Sequence, residues 1–93
     1  MPTVRQQIAD LLRGAAMSAR DLSQALGVRE KEVYAHLPHV ARSVQKDGMQ
    51  LLILPVACLA CGYRFKNRKR YTRPGRCPQC KATRIQTPLF IIQ

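Results

Sequence analysis

The sequence predicts an α+β fold in which three short helices precede a cysteine-rich insert that lies between two strands. Apolar residues recur at helical spacing over residues 4–44, two Cys-x-x-Cys pairs follow, and a short apolar run flanks the pairs on each side. The chain has 93 residues, of which 46% are hydrophobic. That length allows one globular domain with a small insert but is too short for two full cores.

Two capping patterns mark the first two helices. Thr3 is followed three residues later by Gln6, and Ser18 is followed three residues later by Asp21. In such a pair the side chain of the first residue caps the helix, and the side chain of the second residue accepts a hydrogen bond from the backbone amide of the first. Gly27 ends the second helix, since glycine readily adopts the left-handed conformation found after helices. A turn of a few residues then leads to the third helix.

The third helix and the two strands are predicted from apolar spacing. The helix contains Pro38, which predicts either a kink or a restart, because proline has no amide hydrogen and clashes with the preceding turn. Its apolar stripe stays in phase on both sides of that residue and consists of Val33, Leu37, Val40, Ala41 and Val44. Met49–Val56 and Pro88–Ile92 are expected to be strands, each exposed at one edge because each contains a proline.

The two cysteine pairs predict a structural metal site. Cys58 and Cys61 are separated by fifteen residues from Cys77 and Cys80. Two such pairs can present four thiolates to one tetrahedral ion, which leaves no position open for water or substrate. Zinc is the expected ion, and iron is the alternative because it also accepts four tetrahedral sulfurs. A redox function is less well supported, since no βαβ pattern accompanies either pair.

Charge is distributed very unevenly along the chain. The formal net charge is +11, and residues 51–93 contain nine Lys or Arg and no acidic residue. A surface of one sign attracts polyanions, so nucleic acid is the expected partner, with double-stranded DNA first and RNA as the alternative. No apolar run is long enough to span a bilayer, and the N-terminus does not resemble a signal peptide. We therefore expect a cytoplasmic protein that does not enter membranes.

Two groups of residues are candidates for nucleic-acid contacts. The first lies at the start of the third helix, where a helix-turn-helix would enter a major groove. The second is the basic segment between the cysteine pairs, where cations alternate with aromatic residues. The candidates are Arg29, Lys31, Tyr34 and His36 in the helix, and Arg64, Lys66, Arg68, Lys69, Arg70 and Arg73 in the basic segment. Glu30 and Glu32 oppose phosphate binding unless they accept hydrogen bonds from cytosine.

These elements together predict a winged helix-turn-helix with a zinc ribbon inserted at the wing. Residues 1–57, completed by a strand within 86–93, form the winged helix-turn-helix, and residues 58–85 form the insert. The arrangement resembles a family of small prokaryotic proteins, predicted transcriptional regulators, in which a winged helix-turn-helix carries a rubredoxin-like zinc ribbon. The resemblance depends on the helix pair Ser18–Leu37, on Cys58–Tyr63 and on Cys77–Cys80. Lys81 departs from it, because a second turn of this kind usually continues with glycine.

The resemblance implies DNA-binding regulation, with the four cysteines as metal ligands. An RNA-binding module is the main alternative, and a protein adaptor within a nucleic-acid-processing complex is a further one. No phosphate-cradling glycine loop and no nucleophile–base pair is present, so we expect no enzyme. The sequence leaves open whether the protein acts as a monomer or a homodimer.

Overall fold

The computed structural model describes residues 2–65 and 70–93, which form three helices and four short strands. The elements are α1 Val4–Gly14, α2 Ala19–Leu26, α3 Glu30–Gln45, β1 Leu51–Ile53, β2 Val56–Ala57, β3 Arg64–Phe65 and β4 Phe90–Ile92. The predicted α+β class is confirmed at this level.

Both predicted capping boxes are present. The Thr3 hydroxyl accepts a hydrogen bond from the Gln6 amide at 3.2 Å, and the Gln6 side chain accepts one from the Thr3 amide at 3.0 Å. Ser18 and Asp21 exchange the same pair of bonds at 3.1 and 3.0 Å. Each box satisfies two amides that have no partner inside the helix. Gly27 ends α2 in the left-handed conformation, with φ of 68°.

The third helix continues through Pro38 and does not restart there. Pro38 is exposed and cannot donate a hydrogen bond to the carbonyl of Tyr34, so α3 lacks one of its backbone hydrogen bonds. The buried stripe on either side explains why the helix persists. Tertiary packing along that stripe outweighs the local cost of proline.

One apolar core joins the three helices to the β1–β4 sheet. Phe90 and Ile92 of β4 belong to the same buried cluster as apolar residues of all three helices. The buried helical members are Ile8, Ala9, Leu12, Ala19, Leu22, Val33, Leu37, Val40 and Val44. Burying these side chains is the main favourable contribution to folding of this part of the molecule.

The strands that flank the cysteines form an antiparallel pair across a long stretch of sequence. Leu51 lies opposite Ile92, and Ile53 lies opposite Phe90. Met17, in the loop between α1 and α2, adds a bridge on the other edge of β4, where its amide and the Phe90 amide donate to each other's carbonyls at 3.0 and 2.8 Å. This bridge fixes the start of α2 against the sheet.

The predicted strand Met49–Val56 is divided into two strands that belong to different sheets. β1 ends at Ile53, and β2 begins at Val56 and pairs with β3. Pro55 lies in the interval, and its lack of an amide hydrogen makes it a suitable residue for the point where the chain changes partner. The second predicted strand is shorter than expected and starts at Phe90. Among the described residues, no helix is long and apolar enough to cross a bilayer.

Candidate metal centre and nucleic-acid interface

The first cysteine pair lies in a tight turn that closes on itself. The Cys58 carbonyl accepts a hydrogen bond from the Gly62 amide at 2.9 Å, and the Cys58 amide donates to the Tyr63 carbonyl at 2.7 Å. Gly62 has a φ of 81°, a conformation that costs glycine little because it has no Cβ. The turn directs both cysteine side chains to the same side.

The second pair repeats this turn without a glycine. The Cys77 carbonyl accepts from the Lys81 amide at 2.9 Å, and the Cys77 amide donates to the Ala82 carbonyl at 2.9 Å. Lys81 has a φ of 65°, and no other described residue except glycine has a positive φ. The departure from glycine noted in the sequence therefore leaves the turn geometry intact. The left-handed conformation is instead adopted by a lysine, which is unfavourable for a residue with a side chain.

The two turns bring four sulfur atoms into one cluster. The Sγ atoms of Cys58 and Cys80 are 3.6 Å apart, and those of Cys61 and Cys77 are 3.7 Å apart. All four lie within 4.8 Å of one another. Four sulfurs at about 2.3 Å from a tetrahedral ion would be separated by about 3.8 Å. The predicted ligand set is thus brought together at a spacing that could hold one metal ion.

Hydrogen bonds within the turns favour the charged form of two of the thiols. The Cys61 amide has the largest effect on Cys58 and helps to lower the pKa of its thiol to about 7, against the opposing effect of burial. Burial has the largest effect on Cys77 and raises its pKa, but the Cys80 and Gln79 amides, with neighbouring sulfurs, outweigh burial, and the pKa is lowered. Backbone amides aimed at sulfur stabilise thiolates, the form that binds metal.

The crowding of four sulfurs has the opposite effect on Cys61. The Tyr63 amide is the largest single influence and lowers the pKa of this thiol, but burial and the three other sulfurs together raise it to about 12. Four thiolates cannot occupy this space without a cation to neutralise them, and a divalent ion supplies that charge. Cys58 and Cys77 are buried, whereas Cys61 and Cys80 are exposed. A bound ion would therefore lie near the surface.

Backbone contacts join the two ends of the cysteine region to each other, and Tyr71 attaches the region to the helical core. Cys58 forms a bridge with Ile85, and the Leu59 amide donates to the Arg84 carbonyl at 2.8 Å. Tyr71 contacts Phe90 edge-on, with ring centroids 5.9 Å apart, and packs against the helical core. The basic segment between the cysteine pairs is thus anchored next to the helices at its C-terminal end.

The predicted contact residues of α3 do not all share one face. At 3.6 residues per turn, Lys31 points away from the buried stripe, while Tyr34 and His36 lie roughly 90–110° to either side of that direction. Tyr34 is half-buried, and His36 accepts a hydrogen bond at 3.2 Å through Nδ1 from Nε of Arg5 in α1. Arg29 precedes the helix as its N-cap residue and is exposed.

The predicted contact residues of the basic segment are described only in part. Arg64, Arg70 and Arg73 are exposed, and Lys66, Arg68 and Lys69 lie outside the described residues. Phe65 is half-buried and contacts Tyr63 edge-on at 5.1 Å between ring centroids, so it packs beside the first cysteine turn.

One surface cavity connects the basic segment to α3. It measures about 410 Å³ and is lined by Arg20, Glu30, Tyr34, Arg73 and Thr87. Burial has the largest effect on the Tyr34 phenol and raises its pKa; the Glu30 charge raises it further, and the Arg73 charge lowers it. Glu30 from the same helix and Arg73 from the basic segment therefore act on the same phenol, although Arg73 is distant from Tyr34 in sequence.

Arg20 was not predicted as a site residue. It occupies the second position of α2, and nothing in the local sequence distinguishes it from an ordinary solvated cation. Its proximity to Arg73 depends on how the cysteine region packs against the helices. Tyr71 is the residue from which this packing could have been predicted, because an aromatic side chain within a basic segment can anchor that segment to a core.

Comparison with known proteins gives two similarities. A model of the PF0610-like N-terminal family matches residues 3–52, which contain the three helices and the start of β1. The solution NMR structure of protein PF0610 from Pyrococcus furiosus is similar, with 31% sequence identity and a TM-score of 0.79, over 97% of this chain and 88% of that one. No functionally curated protein matches significantly. The structural similarity extends over the helices and the cysteine region alike.

Proposed function

The chain belongs to the PF0610-like family, and from that premise we propose that it is a DNA-binding transcriptional regulator. In this proposal the three helices and the β1–β4 sheet form a winged helix-turn-helix, and the cysteine region is a zinc ribbon inserted at the wing. The helix-turn-helix reads the major groove, and the basic ribbon contacts the phosphate backbone.

The observation that carries the proposal is the position of the basic segment beside α3. Arg73 lines the same cavity as Tyr34, and Tyr71 fixes the adjoining chain to the core through Phe90. Arg73 of the ribbon and Arg20 of α2 therefore belong to one surface beside α3. A duplex placed on α3 would also meet the ribbon, whose half of the chain contains no acidic residue.

The helix pair supports major-groove binding. Gly27 turns the chain between α2 and α3 in the left-handed conformation. Arg29 precedes α3 as its N-cap residue, Lys31 lies on the outward face of the helix, and both are exposed. A helix of about 10–12 Å diameter fits a major groove about 12 Å wide, and its N-terminal residues then reach base edges. Arginine and lysine are the usual partners of guanine in that groove.

The cysteine cluster supports a structural zinc ion. Four thiolates complete a tetrahedral shell, so no position remains for water or a substrate, and the ion contributes folding energy. We propose zinc with Cys58, Cys61, Cys77 and Cys80 as ligands; iron is the alternative, and a visible absorbance band would identify it. Held by the metal, the ribbon presents its cations without the entropy loss of an unstructured loop.

RNA binding is the second candidate, and the acidic first turn of α3 is the observation that favours it. Glu30 and Glu32 are exposed and would repel phosphates at the entrance to a major groove. In an RNA-binding protein the ribbon would make the contacts while the helices served as a scaffold.

Competition binding at matched salt distinguishes these functions. Duplex DNA, hairpin RNA and single strands are titrated against a labelled duplex, after selection of a preferred duplex from random sequences. We expect duplex DNA to compete best and the selected duplex to exceed random duplexes. RNA competing best at every salt concentration would overturn the proposal, and no preference for any nucleic acid would favour the protein-adaptor function.

A further inference from the structure

We infer that the cavity between α2, α3 and the basic segment holds one backbone phosphate of the bound duplex. Arg20 and Arg73 would both donate hydrogen bonds to that phosphate, and the Tyr34 hydroxyl would be a further donor. We call these three residues the phosphate clamp. This inference rests on the proposed DNA-binding function and names the residues that connect the helix pair to the ribbon.

The two arginines are available for an anionic ligand. They come from α2 and from the segment after Tyr71, and both are exposed at the mouth of a cavity of about 410 Å³. Within the described parts of the chain, neither forms a salt bridge with a carboxylate, whereas Arg13 pairs with both Asp10 and Asp47. Hydrogen bonds from Ser18 are the main cause that lowers the pKa of the Asp21 carboxyl, and the Arg20 charge adds to this effect without a salt bridge. A guanidinium group outside a salt bridge keeps parallel N–H donors that phosphate oxygens can accept.

The position of the cavity favours a phosphate of the DNA backbone. Tyr34 lies roughly 90° from the outward direction of α3, on the flank of the helix rather than on its exposed face. A helix that nearly fills a major groove places its flanks next to the two phosphate backbones and its outward face next to the bases. A group on the Tyr34 flank therefore meets a phosphate and carries no base information.

Glu30 supplies an internal test of this inference because its charge has the wrong sign for a phosphate. It lines the cavity and raises the pKa of the Tyr34 phenol. Removing its charge should strengthen phosphate binding at this cavity. Glu32 lies two residues further along the same helix and outside the cavity lining. Glu30→Gln and Glu32→Gln thus change the net charge equally but differ in their distance from the site.

The first measurement uses inorganic phosphate and does not depend on DNA. Titration of the full zinc-loaded chain is followed by NMR through the Arg20 and Arg73 side-chain Nε–H groups and the Tyr34 amide. We expect these signals to shift together, and Glu30→Gln to tighten phosphate binding roughly two- to fivefold while Glu32→Gln leaves it unchanged. Absence of shifts at these groups, or equal effects of the two glutamate variants, would overturn the inference.

The second measurement uses duplex DNA across a salt series. Each neutralised phosphate contributes about −0.9 to the slope of log affinity against log salt. The double variant Arg20→Ala/Arg73→Ala should flatten the slope by about 0.9 if both residues serve one phosphate, against about 1.8 for two separate phosphates. Arg13→Ala, which removes one charge from α1, should leave the slope unchanged.

The possible results separate this inference from the proposed function. Duplex binding by the wild type with an unchanged slope in the double variant would overturn the phosphate clamp and leave the DNA-binding proposal intact. The same would follow if inorganic phosphate shifted the cavity signals without any change in the duplex slope, because the site would then take phosphate from another source. A slope change near 1.8 would also contradict a single shared phosphate. Failure of the wild type to prefer duplex DNA would overturn the proposed function and the clamp together.

Discussion

At the scale of single residues, the two cysteine turns differ in the residue that adopts the left-handed conformation. Gly62 does so in the first turn and Lys81 in the second, with φ of 81° and 65°. A Cβ at Gly62 would have no heavy atom within 4 Å, so substitution there changes the backbone energy and creates no clash. The two positions can therefore be compared as a matched pair.

We expect Gly62→Ala to weaken metal retention and Lys81→Gly to strengthen it slightly. A side chain in the left-handed conformation costs about 1–2 kcal/mol, which corresponds to a roughly 5- to 30-fold lower metal affinity for Gly62→Ala. Lys81→Gly removes that cost but increases the freedom of the unfolded chain, so its net gain is below about 1 kcal/mol. Competition with a zinc chelator measures both. Equal affinities for the wild type and Gly62→Ala would show that these turns are not the metal-binding unit.

Single residues also show where prediction from sequence succeeds and where it stops. The four cysteines and both capping boxes could be predicted because their partners lie at fixed short separations, within one turn or one motif. The cavity that joins Arg20 to Arg73 could not, since 52 positions separate the two residues along the chain and no local pattern encodes their approach. Lys81 occupies a position where glycine is usual in turns of this kind, but the sequence alone does not determine its φ.

At the scale of elements, α3 tolerates a proline that local propensity would exclude. Pro38 is exposed, and buried residues lie on both sides of it along one stripe. The sequence left a kink and a restart open because the choice depends on packing of residues far away in the chain. The strand prediction failed at Pro55 for a related reason. A continuous apolar run does not show where a chain leaves one sheet for another.

We expect Pro38→Ala to stabilise the helical domain. The substitution allows residue 38 to donate to the Tyr34 carbonyl and relieves the clash in the preceding turn, for a gain of about 1–3 kcal/mol. Pro55→Ala is the control, since Pro55 lies between strands and its replacement should only increase the freedom of the unfolded chain. Thermal unfolding of both variants checks this prediction. A lower melting temperature for Pro38→Ala would mean that the proline enforces a helix geometry on which the core depends.

We expect loss of one cysteine to unfold the ribbon and to leave the helices formed. The helical core contains Phe90 and Ile92 but none of the four cysteines, whereas the ribbon buries little apolar surface of its own and would depend on the proposed metal for its folding energy. Cys58→Ser should therefore lose the bound ion and the NMR dispersion of residues 58–85, with most helical circular dichroism retained. Ala60→Ser, at an exposed position within the same turn, should retain both. Metal analysis finding no ion in the wild type would contradict the account of this site.

At the scale of the whole molecule, charge and architecture divide the chain in the same place. The part of the chain before β1 contains all five acidic residues, and the part from β1 onward contains nine Lys or Arg and no acidic residue. The sequence alone indicated a polyanionic partner. The structure adds that Arg73 of the cationic half lies next to Tyr34 of α3, which the sequence could not show because it depends on the docking of Tyr71 on Phe90.

The salt dependence of duplex affinity tests the central claim most directly, because it reports how many phosphates the protein neutralises. Wild type is compared with Arg68→Ala/Arg70→Ala, which removes two cations from the basic segment, and with Arg13→Ala/Lys46→Ala, which removes two from α1 and the end of α3. The account predicts that the first double variant flattens the slope by about 1.8, with similar affinity losses on selected and random duplexes, and that the second leaves the slope unchanged. Equal slopes for the wild type and the Arg68→Ala/Arg70→Ala variant would contradict it, since the ribbon would then face away from the DNA.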